Sequence, residues 1–296
     1  MNFVARICLL LLLALGLSAC GVRTAYNNLD WLTVRWVNQQ VSLDDDQEQV
    51  LRSWLDDQLG WHCATELAAY TDWIEQLRLD VLRGQLDQQQ LAAHGQILAD
   101  FGRRLSLRTL PVMTDLAASL SDEQVTQLMA ELDERTDKLR ERVELFSPEE
   151  LAERRLQSMQ RSLTRLMGRT NNAQNQRLEA WAHALTPTET YQLAQRHYWR
   201  DRLAGALDQR EDPVLLETTL ADLLSPETAW PDEYRAAMET NRGITLAALE
   251  EIIALADQRH LNRMSARLSS LKRDFERLSC SGETPEGWMA ATGPSY

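Results

Sequence analysis

The chain is short of the residues that break or bend a backbone, with 12 glycines and 8 prolines in 296 positions. β-Branched apolar residues are scarce too: valine and isoleucine together number about seventeen against about fifty leucines. Unbranched and γ-branched side chains favour helix, whereas β-branched and turn residues favour sheet and loop. An all-β fold is thereby excluded and a doubly wound α/β fold disfavoured. Cationic charge is also in deficit, 31 Lys and Arg against 44 Asp and Glu, leaving −13 at pH 7. Phosphate-backbone binding needs a basic surface, so nucleic acid is not expected as a partner. Five histidines are scattered at positions 62, 94, 183, 197 and 260. There is no glycine-rich phosphate loop, no G-x-S-x-G elbow, no H-E-x-x-H pair and no C-x-x-C. His62 and Glu66 share a helix face beside Cys63, but a zinc site needs a further ligand that the spacing does not supply. They read as an ordinary helix-surface pair. Paired acids such as Asp56-Asp57 and Glu250-Glu251 point to different sides of a helix, unlike a working dyad. No base and orienting group gather around a serine or threonine either. The expectation is a non-enzyme without metal or cofactor. What the chain does have, 44% apolar and 25% charged residues, suffices for a folded core.

The N-terminus speaks about address. Arg6 precedes an apolar run from Ile7 to Leu17, too short to cross a bilayer as a mature helix. The run ends in Leu17-Ser18-Ala19-Cys20, which resembles the lipobox of bacterial lipoprotein signals. That resemblance implies cleavage before Cys20 and acylation of its thiol. Two or three acyl chains, at roughly 0.8 kcal/mol per buried CH₂, hold a protein on a membrane essentially permanently. Gly21, rather than Asp, follows the lipid-bearing cysteine, and the resemblance then implies sorting to the outer membrane, facing the periplasm. Of the 4 cysteines, Cys8 is removed and Cys20 lipidated, which leaves Cys63 and Cys280. In an oxidising compartment these are a disulfide candidate, the alternative being two separate buried thiols.

Beyond the signal at 1–19 and a tether at 20–25, positions 26–281 read as one all-helical domain, with an irregular tail at 282–296. The expected helices run from Tyr26 to about Gln40, then over 45–83, then after a break marked by Gly84 and Asp87 to about Leu120 with a bend at Pro111, and over 122–145, 148–183, 187–210, 214–223, 227–241 and 244–279. The fold class is all-α, an elongated bundle of about eight to nine helices. Several junctions share one pattern: Leu43-Asp44-Asp45-Asp46-Gln47, Leu120-Ser121-Asp122-Glu123-Gln124, Phe146-Ser147-Pro148-Glu149-Glu150 and Leu185-Thr186-Pro187-Thr188-Glu189, with Leu224-Ser225-Pro226-Glu227 a partial copy. Each reads as an N-cap followed by a capping-box partner, with an apolar staple residue in front. Leu120 to Gln124 also resembles the short motif of helical periplasmic chaperones of the Spy/CpxP kind, although a capping box alone explains it. Tyr26 to Leu32 followed by Leu43 to Gln47 resembles an uncharacterised family of proteobacterial lipoproteins, which implies an address and a fold but no mechanism.

Two excesses remain. Arg161, Arg165 and Arg169 recur every four residues, as do Arg259, Arg263 and Arg267, so each set lines one helix face. They are candidates for binding a partner's acidic patch, peptidoglycan carboxylates or lipid phosphates. The alternative is internal pairing with acids such as Glu131, Asp133, Glu134, Asp137 and Glu141. Of 9 tryptophans, Trp54, Trp61 and Trp73 have core spacing, whereas Trp31 and Trp36 are candidates for exposure near the membrane. The expected role is an anchored envelope interaction or scaffolding protein. A chaperone-like holdase, or a carrier of an apolar ligand between helices, is the alternative.

Overall fold

A computed structural model of the chain describes residues 26–278. The signal, Cys20, Cys280 and the tail lie outside the described residues. Helices α1 (Leu29–Asn38), α2 (Asp45–Trp61), α3 (Leu67–Arg83), α4 (Gln88–Ser119), α5 (Asp122–Leu145) and α6 (Pro148–Met167) are followed by α7 (Asn172–Ala184), α8 (Glu189–Asp208), α9 (Pro213–Leu224), α10 (Asp232–Ala254) and α11 (Gln258–Glu276). Among the described residues there is no strand, and the molecule is an all-α multi-helix bundle.

The capping pattern sets most of the starts. Asp44, Ser121 and Ser147 each accept the backbone N–H three residues on, while Gln47, Gln124 and Glu150 reach back to the cap's own N–H. Leu120, in front of the Ser121 cap, shares a core with Val125, as a staple requires. The remaining junctions behave differently. Thr188 caps α8 without a side-chain bond, and Ser225 opens a 3₁₀ turn, Pro226–Ala229, instead of an α-helix.

Four expected helices are revised. The helix expected over 45–83 contains a π turn at His62–Glu66. Its buried positions step from Gln58 to Cys63, five residues instead of three or four, and one wide turn absorbs the extra residue. The helix expected over 148–183 is two helices. α6 stops at Gly168, which has φ 91°, and α7 starts from an Asn171–Gln174 capping box. The break expected near 242 does not occur, because Gly243 lies inside α10 with open space around it. One helical glycine costs only about 1 kcal/mol. The chain breaks instead at Asp257, whose carboxylate and His260 form the box that starts α11.

α11 packs most extensively on α3 and also lies against α6; α7 lies against α6 and α10. Their inward residues, including Ile74, Met167, Leu178, Ile252 and Leu268, form one core. A second core joins Val41, Leu120, Met129, Leu207 and Leu216, and a third joins Val34 of α1 to Leu51 and Leu55 of α2. Each fully buried leucine contributes about 1.5–3 kcal/mol.

Candidate functional site

The seam between α6 and α11 brings the two arginine sets to neighbouring helices. Leu163 and Met167 of α6 share a core with Met264 and Leu268 of α11, which fixes how the two helices sit. Arg161 and Arg263 are exposed and have no ion-pair partner among the described residues. Among the described residues Arg165 reaches only Ser162 Oγ, at 3.4 Å, and its Nε is sealed from solvent without an acceptor. Arg259 meets Asp257 at 3.5 Å on the surface. Arg267 is half-buried beside Leu268. Arg169 is not on the α6 face: it lies in the turn after Gly168, so the four-residue spacing is broken there. Its backbone carbonyl is used instead, accepting a bond from His260 Nε2 at 3.0 Å.

Four helix ends hold that turn. His260, fully buried, meets the Asp257 N–H and, at 2.7 Å, the Asp257 carboxylate at Nδ1, and donates from Nε2 to the Arg169 carbonyl. Asn171 Nδ2 donates to the Leu255 carbonyl, and the buried Gln174 donates to that of Ile252 at 2.9 Å. The end of α10 is thereby tied to the start of α7. Gly168 is required by its positive φ, and a Cβ there would come 3.0 Å from Arg263 Cδ. Arg263 lies across the space that the missing side chain leaves. Sequence reading missed Gly168, Gln174 and His260, although a glycine ahead of the Asn171–Gln174 pair was the available sign.

Pairing with the acids of α5 is not what the arginine sets do. α5 packs on α8, where Asp133 takes a two-point ion pair from Arg200, at 2.9 Å to each oxygen. That guanidinium holds the Asp133 carboxyl below the usual carboxylate range. Glu134 pairs with Lys138, and Asp137 with Arg140 at 2.6 Å. Arginines flanking the seam are neutralised elsewhere: Arg155 by Glu189 at 2.6 Å, Arg177 by Glu251 at 2.7 Å, while Arg154 stacks on Phe146. Arg161 and Arg263 keep exposed guanidinium groups with no acid paired to them among the described residues, which suits binding of carboxylate or phosphate.

The other candidates are placed as follows. Trp31 and Trp36 are 46% and 56% exposed on α1, where Leu29 and Leu32 are exposed as well. His62 and Glu66 do not pair on a surface. Glu66 is buried and takes two bonds from Arg104, at 2.8 and 2.7 Å, and His62 Nδ1 shares a hydrogen bond with the Tyr26 hydroxyl at 3.0 Å. The π turn points the two side chains at different neighbours. Cys63 is buried in the first core, and its disulfide candidate Cys280 lies outside the described residues. Among the described residues no three His, Cys, Asp or Glu side chains gather as a metal site would require, and no helix is long and apolar enough to cross a membrane.

A family model described as a family of unknown function (DUF6279) matches residues 39–235. No curated protein and no solved structure matches the chain.

Proposed function

The chain belongs to the DUF6279 family of unknown function, and we propose that it is a lipid-anchored periplasmic protein with a non-catalytic docking or scaffolding role in the cell envelope. The observation that carries this reading is the α6–α11 seam, where Arg161, Arg165 and Arg263 lack acidic partners among the described residues of an otherwise acidic molecule. A surface pair is worth only about 0–1 kcal/mol, so leaving the exposed Arg161 and Arg263 unpaired costs the fold little and keeps them available for an anionic partner, an acidic protein face or peptidoglycan carboxylates. The address rests on Leu17 to Cys20 as the acylation site and on Gly21 for the outer membrane. Exposed Trp31 and Trp36 follow Cys20 closely enough to touch the membrane interface, the position that amphipathic indoles favour. A Cys63–Cys280 bridge is part of the same reading; in its support, Leu278, two residues before Cys280, packs into the core that holds Cys63.

The test is in-cell crosslinking of the full-length chain, with partner recovery read by mass spectrometry. An envelope partner recovered with the native chain and lost with Arg161→Gln, Arg165→Gln and Arg263→Gln combined is the expected result. Recovery that is unchanged in this variant, with Cys20→Ser still releasing the protein from membranes, overturns the seam while leaving the anchor standing.

A further inference from the structure

A second cationic feature lies away from the seam, between α5, α8 and the 3₁₀ turn. There the helices leave a cleft of about 350 Å³, within the size range of small-molecule sites. In a chain of net charge −13, its lining includes Arg135, Arg196 and Arg200 and no aspartate or glutamate. Arg200 is held by Asp133, and Arg196 donates to the Arg135 backbone carbonyl at 3.0 Å, bracing the turn of α5 that carries Arg135. The Arg135 guanidinium itself has no ion-pair partner among the described residues. Trp199 and Trp230 supply apolar wall.

Two polar atoms of this lining are unfinished. The Trp199 indole N–H is shut off from solvent and has no hydrogen-bond partner among the described residues. Gln195 donates from Nε2 to the Ala229 carbonyl at 3.3 Å, which fixes its amide and leaves Oε1 buried without a donor among the described residues. An orphan donor or acceptor of this kind costs about 1–3 kcal/mol. One donor, one acceptor, an uncompensated guanidinium and indole walls form a set that a single molecule can complete.

We propose that this cleft binds a small organic anion: a carboxylate or phosphate held by Arg135 and the Trp199 N–H, on an apolar body lying against the indoles. A polar hydrogen on that body is accepted by Gln195 Oε1. The site is independent of the seam, since no residue is shared between them.

The test is equilibrium dialysis of the full-length protein against three probes of this class, 2-naphthoate, phenyl phosphate and decanoate, with neutral 2-naphthamide as the comparison. Saturable uptake of about one probe per chain is expected for at least one of the anions and not for the amide. Arg135→Gln and Trp199→Phe, the second keeping a ring but removing the N–H, should each weaken it about tenfold, the loss of one charge-assisted or buried hydrogen bond. Arg161→Gln, on the seam, should leave it unchanged. Thermal unfolding of each variant establishes that it is folded. Equal uptake of amide and anion, uptake indifferent to Arg135→Gln, or no saturable uptake of any of the three anions overturns the proposal.

Discussion

Tyr26 and His62 show how one contact makes a fold sensitive to acid. The Tyr26 hydroxyl and His62 Nδ1 share a hydrogen bond at 3.0 Å, in which the hydroxyl donates when the imidazole is neutral with its proton on Nε2. Burial holds the histidine below its ordinary value of 6.5 and pushes the Tyr26 phenol up to about 12. With its folded pKa depressed, His62 binds a proton more readily in the unfolded chain. Its contribution is therefore complete above about pH 6.5 and is lost as pH falls through the window below it. Urea unfolding should show a lower midpoint at about pH 5.5 than at about pH 7.5. His62→Gln should flatten that difference; a slope unchanged by the substitution would show that other groups carry it. None of this was legible at position 62, because the partner comes from 36 residues upstream and the π turn, not an α-helical face, decides where the ring points.

At the scale of elements, the junction between α6, α7, α10 and α11 depends on capping side chains that bond outside their own helix. Ser121 is an exposed cap, and Ser121→Ala should cost about 1 kcal/mol. Gln174 is fully buried, accepts the Asn171 N–H and donates to the Ile252 carbonyl. Gln174→Leu strands one buried group on each of two helices, and should cost about 2–4 kcal/mol, two unsatisfied groups instead of a lost cap. Denaturant midpoints with unchanged slopes would check both values. The contrast also marks how far the sequence could be read. Serine or aspartate caps with a Glu or Gln three residues on are sharp signals, and α2, α5 and α6 start where these stand. The start of α7 uses Asn171 and Gln174 inside a run of similar amides, and α11 uses a histidine as the returning partner, which composition does not distinguish from ordinary helix. The break expected between 241 and 244 is absent, because Gly243 faces open space and α10 simply continues. The arginine spacing located α6 and α11, yet whether acids would meet them depended on α5 packing against α8, a tertiary fact.

At the scale of the molecule, charge is segregated. Both the seam and the cleft are arginine-lined on a body of net charge −13. The cleft was hidden in the sequence because Arg135 sits within the acid-rich run of α5, and its counterparts on α8 come 61 or more residues later. The open seam has a consequence for how copies of the protein regard each other. Two such bodies repel at long range through their net charge, but one seam attracts another molecule's acidic helices when they nearly touch. These forces screen differently. At about 0.01 M salt the Debye length is about 30 Å and repulsion dominates; near 0.1 M it is about 10 Å, and only the close attraction survives; at 1 M both are suppressed. Solutions of the delipidated chain should therefore be most cohesive at intermediate ionic strength. Static light scattering should give a second virial coefficient with a minimum near 0.1 M, absent when Arg161, Arg165 and Arg263 are replaced by glutamine. A protein whose colloidal stability dips at about the salt of a living compartment has reason to be tethered, or to keep its seam occupied.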